Sequence, residues 1–388
     1  MAAPRRTPIR DNELKGLKYF QLLHPFLDRL HDNATARDRA GNRRLFYDQY
    51  ACLLLLYFFN PTVKSLRGIQ QASSLAKVQR LFGSARVSRG SLSEASRVFD
   101  PELLHSIIGD LAAQAVPVVH GKEAEALAGL TAVDGSLVPA LPKMAWALWL
   151  DPQHHAAKMH VHFDVRKGVP LETTLTPGND SEAEQLRATV QAHRLYVIDR
   201  GYAEYQLFQD IVDAKSHFIG RIRDNAVWTV VEERPLPAAA RAAGVRSDRC
   251  VRLGGPQSGR VLQQSLRVLE VDTGKTDAHG HPEILLLATS RLDLDAELVA
   301  LAYRFRWAVE LFFRWLKCIL GCRHLLANSR EGVTIQVYLA MIASLLITLW
   351  AGRKPSVRTL EMIQFYFQGW ASEAELTAHL HQLPSPAQ

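Results

Sequence analysis

Apolar and polar positions change their period about one third of the way along the chain. Up to about residue 125 apolar residues come in dense helical runs. LFYDQYACLLLLYFF stops at Asn60-Pro61, and SLRGIQQASSLAKVQRLFG supplies one or two short helices ending at Gly83. Ser91 and Glu94 form a capping-box signature ahead of SEASRVF. From about 128 the texture is that of strands. LTAVDGSLV predicts a short strand ending near Asp134 and Gly135, and AAKMHVHFDV and PLETTLTP predict a hairpin turning at Arg166-Lys167-Gly168. SEAEQLRATVQAH predicts a helix with Asp180 as its N-cap. LYVIDRGY predicts a buried strand closing at Asp199, followed by the helix AEYQLFQDIVDA and the strand SHFIGRIR. Alternating segments and glycine turns over 224–282 predict a small β-rich insertion. ILLLATS predicts one more buried strand, after which Asp293 and Asp295 lead into a long helix.

The expected fold is therefore α/β. A helical N-terminal domain spans 1–125, and the first part of a core spans 126–223. The β-rich insertion (224–282), the second part of the core (283–352) and a helical tail (353–388) follow.

A chain of 388 residues, 47% hydrophobic and 22% charged, can bury a full core. Its net charge of +7 favours an anionic partner, nucleic acid before a membrane surface. Lys64, Arg67, Lys77, Arg80, Arg86, Arg89 and Arg97 recur among the short N-terminal helices. That pattern suits DNA contact and is equally that of a solvated basic face. The N-terminus MAAPRRTPIRDNELKG is basic and lacks an apolar signal core, so a cytoplasmic protein with reduced thiols is expected. The apolar stretches at 51–59 and 339–350 are too short to span a bilayer and predict buried core helices. Cys318 and Cys322 lack a second ligand pair, and His160 and His162 alternate in a strand without closing ligands, so neither pair predicts zinc.

The chemistry concentrates in YRFRWAVELFFRWLK. Tyr303, Arg306, Glu310 and Lys317 are spaced Y-x2-R-x3-E-x6-K. On one continuous helix, at about 100° per residue, they lie within about 60° of each other on a single face. A carboxylate between two cations and a phenol can bind a metal through Glu310 and phosphate through Arg306 and Lys317. Taken alone, Glu310 is also an ordinary i,i+4 partner of Arg306, and Asp134 and Asp199 are also ordinary turn residues. Together, two strand-end aspartates and a carboxylate on a packed helix make a hard-oxygen set suited to Mg²⁺. Two such ions, about 3.5–4 Å apart, activate an attacking oxygen and stabilise a leaving one. No Walker loop, dinucleotide motif or nucleophile elbow competes. Trp307 and Trp315 lie off this face and are expected to be packing residues.

The chain resembles the DDE transposases of the RNase H-like superfamily, in the insertion-sequence-four group named for its Y-x2-R-x3-E-x6-K signature. The resemblance rests on VDGS around Asp134, LYVIDRGY around Asp199, the Tyr303–Arg306–Glu310–Lys317 set, the hairpin and the β-rich insertion, over roughly 128–350. It implies an RNase H-like mixed sheet flanked by helices, with Asp134, Asp199 and Glu310 as catalytic metal ligands. It implies two Mg²⁺ ions, for which Mn²⁺ can substitute, and DNA-phosphate contacts from Tyr303, Arg306 and Lys317. The implied partners are double-stranded DNA, as transposon ends and target, and a second copy of the chain in the DNA complex. The implied location is the cytoplasm, at the nucleoid. Some relatives hold a flipped base on a tryptophan of the insertion, where this chain has only Trp228. A stand-alone nuclease and a repurposed DNA-binding protein are the other readings of the same residues.

Overall fold

A computed structural model of the protein describes residues 23–31, 44–83, 85–118, 121–140, 144–151, 154–254, 262, 264–276, 280–322, 324–354 and 356–382. The basic segment 1–16 and parts of the N-terminal and insertion expectations lie outside the described residues.

The strands are β1 (Leu130–Pro139), β2 (Leu148–Asp151), β3 (His154–Asp164), β4 (Val169–Pro177), β5 (Leu195–Ile198), β6 (His217–Arg221), β7 (Trp228–Glu233), β8 (Val245–Leu253), β9 (Leu266–Thr276) and β10 (Pro282–Thr289). They form one sheet in the order β2-β3-β1-β5-β6-β10-β9-β8-β7, with β4 also paired to β3. β1 is antiparallel to β3, β3 to β4, and β1, β5 and β6 run parallel. This five-stranded mixed unit, β4-β3-β1-β5-β6, is the arrangement of an RNase H-like fold. The β3–β4 hairpin turns at Gly168, whose φ of 70° favours a residue without Cβ.

The segment read as an insertion does not fold as a separate module. β10 pairs with β6, β9 with β10, β8 with β9 and β7 with β8, so the strands continue the central sheet. Apolar residues such as Leu266, Val268 and Leu253 extend the core along it.

Alternation along the central strands sorts side chains to two faces. Leu130, Ala132, Leu195 and Val197 enter the larger core, and Val133, Tyr196 and Ile198 the smaller one. The smaller core is roofed by helices Glu182–Thr189 and Tyr205–Asp213. The larger core is organised by the helix Arg330–Ala351, buried at every residue from Gly332 to Thr348. It packs against β4 and the helices Tyr47–Phe59, Arg89–Val98 and Glu102–Gln114, so the N-terminal helices share this core. The helix is longer than its apolar stretch suggested, and by length and composition it could cross a membrane. It begins nine residues before Leu339 because its buried polar groups are satisfied locally. Thr334 donates to the Arg330 carbonyl, while Gln336 donates to the His324 carbonyl and accepts from the Leu326 amide.

Two helix starts differ from expectation. The helix Arg89–Val98 is capped by Ser88, whose hydroxyl accepts from the Ser91 amide, three residues before the capping-box reading. The helix Glu182–Thr189 is capped by Ser181 and not by Asp180. In both, a serine in extended conformation satisfies an orphan amide of the first turn.

Candidate active site

Asp134 lies in mid-β1 and Asp199 just past the end of β5. The parallel register ends with Ala132 opposite Val197, and Asp134 and Asp199 each follow two residues beyond that last pair. Both share the parity of Leu130 and Leu195, which enter the larger core. The Asp134 carboxylate accepts from the Gly135 amide at 2.8 Å. Asp199 caps a short turn, Arg200–Tyr202, accepting from the Gly201 amide at 2.7 Å. Burial pushes the Asp134 carboxyl up to about 7, and the nearby charges of Asp199 and Glu182 push the same way. Its own backbone hydrogen bond and Arg306 oppose the shift.

The four-residue signature does not occupy one continuous helix. Helix Ala296–Arg304 carries Tyr303 and ends, the chain turns through Phe305-Arg306, and helix Trp307–Arg314 carries Glu310. Lys317 sits in a π-helical turn, Trp315–Ile319. The continuous-helix geometry is therefore replaced by a broken one that still gathers the residues. Arg306 pairs with Glu310 at 2.6 Å. Tyr303 is half-buried beside Arg306, and burial raises its phenol. Lys317 donates to the Ser136 hydroxyl at 2.7 Å and the Leu137 carbonyl at 3.3 Å, tying this segment to β1 two residues past Asp134. Its ammonium lies 6.0 Å from the Phe313 ring centre, and burial lowers its pKa.

The arrangement brings Asp134, Asp199, Arg306 and Lys317 together, while the Glu310 carboxylate is held by Arg306. Among the described residues no three His, Cys, Asp or Glu side chains are grouped as a ready metal-ligand set. A cleft of about 730 Å³ opens beside Asp199, lined also by Arg200, Arg221, Arg223, Tyr303 and Arg306. Asp224, 3.7 Å from Arg200, also lines it, and a polar trough with four guanidinium groups and two carboxylates can take a phosphodiester.

Other singled-out residues are less involved. His160 and His162 are buried and bonded to Thr176 and Thr189, and burial lowers both to about 4, so they are neutral packing groups at pH 7. Cys318 is exposed and Cys322 buried, both as free thiols. Trp315 is buried and donates to the Ser344 hydroxyl at 3.1 Å. Trp307 departs from its packing expectation: it is 58% exposed at the start of its helix, next to Arg306. Trp228 is half-buried against the smaller core.

Two residues near Asp134 escaped the sequence reading. Glu182 lies close enough that a Cβ at Gly135 would come within 2.6 Å of its Oε1. The Tyr202 hydroxyl is fully buried and feels the charges of Glu182, Asp134 and Asp199. Tyr202 sits inside the DRGY segment, but only the fold shows where its hydroxyl points. Glu182 has no signal beyond its place in a first helical turn.

The model of the transposase DDE domain family matches residues 126–346. Two relatives carry transposase names. The chain is 30% identical to y4zB of Sinorhizobium fredii (strain NBRC 101917 / NGR234) over 229 residues, 58% of this chain and 62% of that one. It is 24% identical to the transposase named for insertion sequence element IS5377 of Geobacillus stearothermophilus over 206 residues, 53% of this chain and 52% of that one. The chain thus matches between about half and three fifths of the length of these relatives. Among solved structures, a piggyBac transposase synaptic complex with hairpin DNA overlays at a TM-score of 0.44 and 12% identity, covering 98% of this chain and 88% of that one. With the family match spanning more than half of the chain, from just before β1 into the long core helix, the protein belongs to the transposase DDE domain family.

Proposed function

We propose that the protein is an insertion-sequence transposase of the Y-x2-R-x3-E-x6-K group, which cuts transposon ends and joins them to target DNA. The observation that carries this reading is that Asp134 on β1 and Asp199, just past the end of the neighbouring parallel strand β5, stand at matching positions, with the charge of Asp199 felt at Asp134. Two carboxylates so placed, one of them desolvated, make a pocket of hard oxygen donors that favours a divalent cation. The donor set fits Mg²⁺, or Mn²⁺ in its place, with Asp134, Asp199 and Glu310 as the residues that would hold it, as two ions. Bound there, the metal would supply charge neutralisation at the scissile phosphate and a lowered pKa for the attacking oxygen.

The chain's own residues do the rest. Arg306 holds Glu310 in the DNA-free state. A phosphate entering the trough competes for that guanidinium, and its capture frees Glu310 to turn toward the aspartates. Lys317 stays beside β1 and offers its ammonium to a phosphate near Asp134. Tyr303 backs Arg306. The N-terminal helices present Lys64, Arg67, Lys77, Arg80, Arg86, Arg89 and Arg97, all exposed, as a basic face for the duplex of an end. Two ends cut together call for a second copy of the chain in the DNA complex.

The test is cleavage and strand joining on the element's own terminal repeats. Asp134→Ala, Asp199→Ala and Glu310→Ala are each expected to abolish Mg²⁺-dependent nicking and leave binding of the repeats within about threefold of the parent, since the lost contacts act on the reaction and not on the duplex. Full cleavage by any one of them removes that residue from the site. Cleavage without joining by the parent protein would make it a nuclease instead.

A further inference from the structure

Asp134 has a third acidic neighbour that the triad leaves unused. Glu182 opens the helix Glu182–Thr189, just behind its cap Ser181. Its helix packs on the smaller core, on the side of the sheet opposite to the helix that carries Glu310. Its approach depends on Gly135, where an added Cβ would fall 2.6 Å from Oε1, 2.8 Å from Cδ and 3.1 Å from Cγ. Its ion pair with Lys158 is loose: Nζ lies 3.4 Å from Oε1, longer than a tight charge-assisted bond of about 2.7–2.9 Å. Lys158 has a better anchor in the Asp180 carbonyl at 2.9 Å.

A second observation comes from the tyrosine three residues after Asp199. The Tyr202 side chain is buried in the smaller core, and its hydroxyl has no hydrogen-bond partner among the described residues. The charges of Glu182, Asp134 and Asp199 all act on that hydroxyl, Glu182 first. An orphaned buried hydroxyl costs about 1–3 kcal/mol. Here the carboxylates nearby can supply the missing acceptor.

We propose that Glu182 is a further ligand of the divalent cation at Asp134 and Asp199, oriented by a hydrogen bond from the Tyr202 hydroxyl. The inference rests on the metal-dependent reading above. In the cation-free state Glu182 leans on Lys158. When a cation gathers the carboxylates, Glu182 swings off Lys158 and accepts from Tyr202. Glu182 then contributes charge and an oxygen from the second face, while Tyr202 is a positioning residue.

The experiment measures Mn²⁺ binding to the full chain without DNA, by electron paramagnetic resonance of free Mn²⁺. Thermal melts without metal confirm that each variant is folded. Asp134→Asn is expected to weaken binding most. Glu182→Gln, which keeps shape and removes charge, is expected to weaken it about tenfold or more, Glu182→Asp less, and Tyr202→Phe by about threefold to tenfold. Lys158→Met is expected to leave Mn²⁺ affinity equal or tighter, because Lys158 competes for Glu182. If Asp134→Asn loses Mn²⁺ while Glu182→Gln binds like the parent, Glu182 is not a ligand and the aspartate reading stands. If Lys158→Met weakens binding as much as Glu182→Gln, the pair is only structural and the proposal is overturned. If Asp134→Asn binds like the parent, the metal-dependent reading fails and this one with it.

Discussion

At the scale of single residues, the Asp134 carboxyl makes a measurable demand on pH. Burial holds it near 7, against about 3.8 in an exposed chain. The fold therefore favours the protonated form. Asp134's contribution to stability is complete below about pH 4 and is lost as the pH rises through about 7. At about 1.4 kcal/mol per pH unit, the loss reaches at most about 4 kcal/mol in the cation-free protein. Asp134→Asn should melt at a higher temperature than the parent above pH 7, and the two melting curves should converge near pH 4. Parallel curves across that range would show that Asp134 is not held protonated. A bound cation has the opposite linkage, since it takes the ionised carboxylate and displaces the proton. Asp134 and Asp199 were legible in the sequence because each closes or interrupts an apolar strand before a glycine. Glu182 and Tyr202 were not, since their relation to Asp134 is made by the packing of a helix and a short turn from later in the chain. The solvent exposure of Trp307 was hidden by the same limit: a helical wheel gives a direction around one axis but not what covers it.

At the scale of elements, strand order was read correctly for β1 and β3 to β6, though β1 runs on to Pro139 instead of ending near Asp134 because its second half stays paired with β3, and the turn at Gly168 falls where the basic turn residues stand. The helix that carries the signature was harder. A wheel drawn over Tyr303 to Lys317 assumes an unbroken α-helix, yet the chain turns at Phe305-Arg306 and widens at Trp315–Ile319. Neither glycine nor proline marks these breaks. The extension of the sheet was also not legible, because alternation reports a half-buried strand and not its neighbour. The extension contains a buried ion pair. Arg267, 1% exposed, donates to Asp248 at 2.9 and 2.6 Å and also to the carbonyls of Arg291 and Leu294. That clasp joins β8 and β9 to the entry of the helix Ala296–Arg304. Arg267→Met would leave Asp248 buried without its main partner, and a loss of about 3–5 kcal/mol is expected in urea unfolding. A loss below about 1 kcal/mol would mean that Arg234, 3.9 Å from Asp248, takes over the charge.

At the scale of the whole molecule, the N-terminal helices and the sheet behave as one body because they bury the same helix. Tyr47–Phe59, buried at every position, lies against Arg330–Ala351, as does Glu102–Gln114. Neither side of that contact has a complete apolar core without the other. Thermal unfolding followed by tryptophan fluorescence and by far-ultraviolet circular dichroism should therefore give one coincident transition. Two separated transitions would show that the N-terminal helices fold apart from the sheet. The boundary near residue 125 was legible as a change of texture, but a change of texture marks where strands begin, not where a core ends.

The excursion between β6 and β10 begins and ends on hydrogen-bonded neighbours, Arg221 opposite Leu287. Its two ends are held a strand's width apart by the sheet itself. Whatever lies between them can lengthen, shorten or be exchanged without rethreading the central strands, and closing a longer loop adds little entropy, roughly 0.6 kcal/mol for each doubling. The cost of trimming is different in kind: without β9, the outer edge of β10 would be left bare. Variation in this part of the chain is thus nearly free in length but not in pairing. A substitute must still cover β10 and supply the apolar residues, such as Leu253, Leu266 and Val268, that this segment adds to the core.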